Sequence, residues 1–153
     1  MNIQSIYETM EYGPAPESRD AADQWLKSHD HQFQLFIGGE WQAPKTGKYF
    51  DSINPADKKV LAKIAKAGKE DVDQAIIAAQ NALPQWVELG PHGRARYLYA
   101  IARQIQKHSR LFAVLESLDN GKPIRETRDI DVPLVARHFY HHAGWAHLRE
   151  TML

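Results

Sequence analysis

Three histidines near the end of the chain are spaced so that their rings would meet on one helix. His138, His141 and His142 stand at i, i+3 and i+4, positions that are neighbours on a helix surface. Two imidazoles placed in this way can hold zinc or nickel. No acidic ligand follows at a metal-like spacing, and the same segment has apolar residues such as Phe139 to bury. We therefore expect structural or adventitious histidines, and a metal-binding helix is the alternative.

Two kinds of chemistry are missing from the chain. It contains no cysteine, which excludes disulfides, thiolate metal sites and a thiol nucleophile from these 153 residues. It also contains neither of the glycine-rich patterns, G-x-G-x-x-G and G-x-x-x-x-G-K, whose backbone cradles phosphates. No nucleotide site is predicted within this chain.

The composition of the chain limits the classes of binding partner and indicates a cellular location. Nineteen basic residues balance nineteen acidic ones, which argues against a nucleic-acid or anionic-membrane partner. No apolar run is long enough for a spanning helix, and the acidic start is unlike a secretory signal. We expect a cytoplasmic protein.

The order of local patterns predicts an α+β fold with an N-terminal arm, a small β-hairpin unit and three to four helices. The arm covers residues 1–32 and includes a short helix that Ser18 caps, with His29 and His31 in a solvated loop. The domain covers residues 33–153, divided into a β unit, 33–67, and a helical part, 68–148.

Within the β unit, Gly38-Gly39 predicts a hairpin from Gln34 to Gln42. A second strand pair, 49–53 and 60–65, flanks an Asn-Pro turn at 54–57. The tryptophans Trp41, Trp86 and Trp145 are expected to anchor the core or join elements.

Helical spacing of apolar residues begins after Gly68, and Pro84 closes or distorts this first long helix. Pro91 begins the next helix, and Ser109 is expected to cap a third that ends at Gly121 in a left-handed conformation. Asp131 or Val132, followed by Pro133, is expected to open the last helix.

Five consecutive segments resemble the aldehyde dehydrogenase superfamily over residues 33–147. They are LFIGGEW, FDSINPADKKVLAKI, EDVDQAIIAAQNALPQW, RARYLYAIARQIQKHSRLFAVLESLDNGKPIRE and HFYHHAGWA. The leader YETMEYGPAPES resembles that of the sixteenth branch of the superfamily. The resemblance implies the N-terminal portion of an enzyme that oxidises an aldehyde to a carboxylic acid.

In that family a cysteine thiolate attacks the aldehyde, hydride passes to NAD or NADP, and a glutamate activates water. The family places these groups after the segment seen here. The resemblance therefore implies that no catalytic or cofactor-binding residue lies in this chain. The chain alone is expected to be inactive and to bind no NAD or NADP. The complete enzyme would take a small aldehyde.

The resemblance also carries two sites onto this sequence. Ser52, the carbonyl of Ile53 and Asp119 match positions where many members hold a monovalent cation, Na⁺ or K⁺, for which hard oxygen ligands are suitable. The alternative is that Asp119 bonds the backbone N–H groups of its own turn.

The second site is the mouth of the substrate tunnel, which the resemblance places at Ile130, Asp131 and Leu134. There the side chains would select the shape of the aldehyde. The alternative is core packing together with an N-cap for the last helix.

Two functions follow from these observations. The first is an enzyme segment whose partner is the rest of the aldehyde dehydrogenase fold or a homo-oligomer. The second is a stand-alone interaction or oligomerisation module derived from such an enzyme. Because the helices lack the sheet that they cover in the family, we also expect exposed apolar surface.

Overall fold

The computed structural model describes residues 18–152, so the leader motif and most of the predicted arm lie outside the described residues. The fold is α+β, as predicted. The helices are α1 (Asp20–Ser28), α2 (Lys69–Glu88), α3 (Gly90–Lys107), α4 (Ser109–Asn120), α5 (Ile124–Glu126) and α6 (Val132–Met152), and a π-helical turn (Thr127–Asp131) joins the last two. The strands are β1 (Gln32–Phe33), β2 (Leu35–Ile37), β3 (Glu40–Gln42), β4 (Tyr49–Ile53) and β5 (Val60–Ala65).

Strands β2 and β3 form the predicted hairpin. Gly38 and Gly39 have φ angles of 65° and 89°, the left-handed conformations that a two-residue turn requires. Phe36 pairs across the strands with Trp41, and their ring centres are 4.9 Å apart. Trp41 was predicted to anchor the core or to join elements, and the first of these is wrong, because the residue is 66% exposed on this small sheet.

The other sheet has the order β1-β5-β4, with β4 antiparallel and β1 parallel to the central strand. The β4–β5 pair was predicted, whereas β1 was not, since two residues show no alternation. Ser52 faces Ala62 and Ile53 faces Val60, so Leu61 is an extra residue that forms a bulge. The carbonyl of Leu61 accepts a hydrogen bond from His31 Nδ1 at 2.8 Å.

Two residues with left-handed backbone, Asp30 and His31, follow the C-cap residue His29 of helix α1, and their φ angles are 53° and 51°. The Asp30 N–H donates to the Lys27 carbonyl at 3.0 Å, and the His31 N–H donates to that of Leu26 at 2.9 Å. This pair of bonds is a Schellman motif, which satisfies the last carbonyls of a helix. The loop that was predicted as solvated is exposed, and it forms a structured cap that leads into β1.

Helices α3 and α6 pack along each other. Their buried alanines, Ala95 and Ala102 on α3 and Ala136 and Ala143 on α6, recur at seven-residue intervals, which keeps them on one face of each helix. Small side chains at such positions let two helices approach closely.

The ends of two helices differ from the sequence prediction. His108, not Ser109, precedes α4, and no side chain caps it. The last helical run starts at Ile124 rather than near Pro133, because the π-helical turn continues the helix up to α6. A widened turn accommodates a proline whose N–H is missing. Pro84 lies inside α2.

Large apolar side chains are exposed, as expected from the sequence. Helix α2 carries many of them: Val72, Ile76, Ile77, Leu83 and Val87. This helix packs mainly through its contacts with β2 and the start of α3. None of the helices in the described part of the chain is both long and apolar enough to span a membrane.

Candidate functional site

The turn after β4 is closed by one buried asparagine. Asn54 is 4% exposed, and its side-chain Oδ1 accepts a hydrogen bond from the Ala56 N–H at 3.0 Å. Its backbone N–H donates to the Lys59 carbonyl, and its carbonyl accepts from the Lys58 N–H. These bonds fix Pro55 at the tip of the turn.

Pro55 meets the end of α4 at Gly121. This glycine has a φ of 76°, and a Cβ built on it would lie 2.7 Å from Pro55 Cγ. Both the backbone conformation and the close approach therefore require glycine. The predicted left-handed end of α4 is confirmed, but its contact with Pro55 is a feature that local sequence patterns do not contain.

The junction of turn and helix brings two of the predicted cation ligands together. The Ser52 hydroxyl donates a short hydrogen bond to Asp119 Oδ1. Ile53, the third residue of the set, is the next residue of β4, and its side chain is exposed. In the turn after α4, Asn120 Oδ1 accepts a hydrogen bond from the Lys122 N–H at 2.8 Å. The alternative to a cation site had given this turn-closing role to Asp119.

A large apolar hollow lies beside this junction. Its volume is about 880 Å³, and α1, both edges of the three-stranded sheet, α3, α4 and α6 contribute side chains, including Leu26, Phe50, Phe112 and Val135. The polar side chains in its lining are Ser52, Glu116 and Asp119. The hollow is therefore apolar with an acidic edge.

The predicted tunnel residues lie on and after the π-helical turn. Lys122 Nζ is 2.5 Å from Asp131 Oδ2. This bond, together with the nearby charges of Glu126 and Glu116, raises the pKa of Lys122. Ile130 and Leu134 are exposed. Asp131 lies inside a continuous helical run, so the alternative that it caps a helix is wrong.

Two buried polar residues with a structural role were not singled out from the sequence. Thr127 is fully buried, and its hydroxyl donates to the Ala113 carbonyl at 3.0 Å and lies 3.0 Å from Ser117 Oγ. It joins the π-helical turn to α4. A single threonine in a helical pattern carries no signal for such a contact.

Asp71, near the start of α2, is the second of these residues. It is 2% exposed, and its carboxylate accepts hydrogen bonds from the Gly68 N–H at 2.8 Å and the Lys45 N–H at 3.0 Å. These two bonds, that from Gly68 first, lower the pKa of Asp71. The residue thus ties the loop after β3 to the start of α2.

One of the histidines of α6 is hydrogen-bonded to a tryptophan on the same helix. His138 is exposed, and His141 Nε2 accepts a hydrogen bond from Trp145 Nε1 at 2.9 Å. In residues 18–152, no group of three or more histidine, cysteine, aspartate or glutamate side chains is arranged to hold a metal ion.

Comparison with known proteins agrees with this architecture. A sequence model of the aldehyde dehydrogenase family matches residues 41–152. A long-chain-aldehyde dehydrogenase of an Acinetobacter species is 40% identical over 119 residues, which are 78% of this chain and 24% of that protein. Aldehyde dehydrogenase B of Escherichia coli is 39% identical over 119 residues, 78% of this chain and 23% of that protein.

A solved structure gives the same result. The NAD⁺ complex of an aldehyde dehydrogenase from Bacillus cereus superposes with a TM-score of 0.77 at 34% identity, covering 84% of this chain and 26% of that one. The chain spans about a quarter of the length of the curated relatives it matches. The chain therefore belongs to the aldehyde dehydrogenase family, and its α+β structure is the start of that fold.

Proposed function

We propose that this chain is the N-terminal structural portion of an NAD(P)-dependent aldehyde dehydrogenase, which oxidises an aldehyde to a carboxylic acid. The observation that supports this most strongly is the agreement of sequence and fold with a quarter-length part of such enzymes. In this proposal the chain supplies scaffold, and the redox chemistry belongs to other residues of the complete enzyme. The family match favours this over a stand-alone interaction module.

The apolar hollow beside the Ser52–Asp119 junction does not suit NAD or NADP. A dinucleotide needs backbone N–H groups or basic side chains around its pyrophosphate. The hollow beside the Ser52–Asp119 junction instead offers apolar side chains with Glu116 and Asp119 at its edge, and these carboxylates would repel phosphate. The zero cysteine count also leaves the thiol step without a nucleophile here. We assign no step of the oxidation to this chain.

The cation site at Ser52, Ile53 and Asp119 is part of the proposal. A hydroxyl, a main-chain carbonyl and a carboxylate are hard oxygen donors that suit Na⁺ or K⁺, and the Ser52–Asp119 bond brings two of them together. An ion there would neutralise Asp119 and link β4 to the end of α4.

This site has a direct test. Because a ligand that binds the folded state raises its stability, the Tm of the chain should rise in KCl or NaCl relative to Tris chloride of equal ionic strength. Asp119→Asn should abolish that rise, while Asp57→Asn, in the neighbouring turn, should retain it. An equal rise in wild type and Asp119→Asn would contradict the assignment.

We also propose Ile130, Asp131 and Leu134 as part of the tunnel mouth. The exposure of Ile130 and Leu134 leaves their side chains available to a substrate, and the Lys122–Asp131 ion pair holds the turn that carries them. In the complete enzyme, Leu134→Ala should alter the ranking of kcat/KM among aldehydes of different chain length. An unchanged ranking would remove Leu134 from the site.

The finer parts of the proposal rest on sequence alone. They are membership of the sixteenth branch, a cytoplasmic location, the division between arm and domain at residue 32, and association with the rest of the fold or with a second copy. The branch prediction depends on the leader, which is outside the described residues.

The proposal is tested by assaying the purified 153-residue chain with NAD⁺ and aldehydes of increasing length. We expect no NADH beyond that of a heat-treated sample and no rise of Tm with NAD⁺ or NADP⁺. The Bacillus cereus enzyme is the positive control. Sustained aldehyde-dependent NADH formation by the chain would overturn the scaffold role.

A further inference from the structure

A second hollow lies between the end of α1 and the β2–β3 hairpin, and it shares Trp25 and Phe33 with the hollow beside the Ser52–Asp119 junction. Its volume is about 490 Å³, within the range of small-molecule sites. Four rings line it, those of Trp25, His29, Phe33 and Trp41. Its other lining residues are one carboxylate, Asp30, and two glutamines. We call it the aromatic hollow.

Contacts among the rings hold three of them in place. Trp25 and Phe33 are stacked with their centres 5.1 Å apart, and His29 lies 4.5 Å from Trp25 and 5.5 Å from Phe33. His29 Nδ1 donates to the Trp25 carbonyl at 2.8 Å, since a carbonyl can only accept. The rings are thus organised without a ligand, which lowers the cost of binding one.

Trp41 completes the lining from the opposite side. It contacts Phe36 on the hairpin, yet it remains 66% exposed. Part of the Trp41 side chain is therefore accessible to a ligand in the hollow. Because it is on a separate sheet from Phe33, the two sides of the hollow belong to different elements.

The electrostatics of the aromatic hollow favour positive charge. Asp30 is its one charged lining residue. The C-terminus of α1, with its partial negative charge, lies at the same place, because Asp30 and His31 form its Schellman cap. The faces of aromatic rings are also negative. The carboxylate, the helix end and the ring faces therefore all favour a positively charged ligand.

From this arrangement we infer that the aromatic hollow binds an organic cation of the quaternary or alkylated ammonium class. Such ions bind to aromatic faces through cation–π attraction and apolar contact together. Gln32 and Gln34, which also line the hollow, offer amides to a hydroxyl or carbonyl on the same ligand. The inference does not depend on the proposed enzymatic role.

The test titrates the 153-residue chain with choline and with its neutral isostere, in which a tert-butyl group replaces the trimethylammonium group. Calorimetry and tryptophan fluorescence report binding. We expect choline to bind about tenfold more tightly than the isostere, because the two differ in charge and not in shape. Equal affinities, or no choline binding at about 10 mM, would overturn the inference.

Two substitutions locate the site. Trp41→Leu and Asp30→Asn should each weaken choline binding about three- to tenfold. Asn tolerates left-handed backbone, and Trp41 is exposed, so both variants should keep the circular dichroism of the wild type. Trp145→Leu, an exposed tryptophan on α6, is the matched control and should leave affinity unchanged. Loss of choline binding in Trp145→Leu, or unchanged choline binding in Trp41→Leu, would contradict the site.

Discussion

The junction between the 54–57 turn and the end of α4 contrasts with helix α2. At the junction, Pro55 packs on Gly121, Asn54 is buried with its polar groups bonded, and Ser52 bonds Asp119. Helix α2 is 20 residues long, yet its large apolar side chains are exposed. The junction is stabilised by contacts within this chain. Helix α2, in contrast, has an apolar surface that the described residues of the chain leave uncovered. A protein built as part of a larger fold is expected to contain both kinds of region.

At the junction, a large effect is expected at Gly121. Gly121→Ala forces a side chain into left-handed backbone and against Pro55, and it should reduce the free energy of unfolding by about 3 kcal/mol. Urea denaturation followed by circular dichroism measures this. Gly39→Ala is the matched control, because its φ is 89° with no atom near its Cβ position, so it carries only the backbone cost. Equal losses in the two variants would show that the Pro55 contact contributes nothing.

Thr127 tests the other buried contact of α4. Thr127→Val keeps the volume but removes the hydroxyl between Ala113 and Ser117, and it should cost about 1–2 kcal/mol. Thr46 is an exposed threonine whose hydroxyl accepts a long hydrogen bond from the Lys48 N–H at 3.3 Å, so Thr46→Val should stay within about 0.5 kcal/mol of the wild type in the same urea experiment. An unchanged free energy of unfolding in Thr127→Val would mean that the π-helical turn is held by packing alone.

The contribution of Asp71 to the stability of the fold depends on pH. Its pKa is lowered in the folded state, so its ionised form stabilises the fold above the unfolded pKa of about 3.9. That contribution is lost as the pH falls toward the folded pKa. Asp71→Asn should therefore lower the Tm at pH 7, and its difference from the wild type should shrink on acidification below about pH 4.

The control for this prediction is Asp73→Asn. Asp73 forms an exposed i,i+4 pair with Lys69 on the same helix, and such pairs contribute little. The Tm of Asp73→Asn should follow that of the wild type across the whole pH range. A difference for Asp71→Asn that does not change with pH would show that its carboxylate charge is unimportant.

The smallest effect is expected on α2. Ile76 is half-exposed, so Ile76→Ala should change the free energy of unfolding by no more than about 0.5 kcal/mol, while lowering the binding of the dye ANS. Leu26→Ala, a truncation at a buried position on α1, should cost about 2–4 kcal/mol. Comparable costs for the two variants would contradict the view that α2 is uncovered.

Sequence patterns predicted the elements that depend on local chemistry. Gly38-Gly39 specified the hairpin, the alternation at 60–65 specified β5, and Gly121 specified the end of α4. In each case the residue type itself requires the backbone conformation or the face that is observed.

Features that depend on distant residues could not be predicted in this way. The parallel strand β1 has two residues, and the bond from His31 to Leu61 joins positions 30 residues apart. Thr127 and Asp71 look like ordinary helix residues until their partners are placed. The meeting of Ser52 and Asp119 was expected from family resemblance, because no local pattern connects residues separated by 67 positions.

The central claim is that this chain serves as the first part of an aldehyde dehydrogenase fold, and a chimera tests it most directly. The chain would replace the corresponding first part of the Bacillus cereus enzyme, and NAD⁺-dependent oxidation of an aldehyde would be measured. A second chimera that carries Gly121→Ala is the control. We expect a folded enzyme that forms NADH, with lower thermal stability in the control. A chimera that folds and binds NAD⁺ but forms no NADH would contradict it.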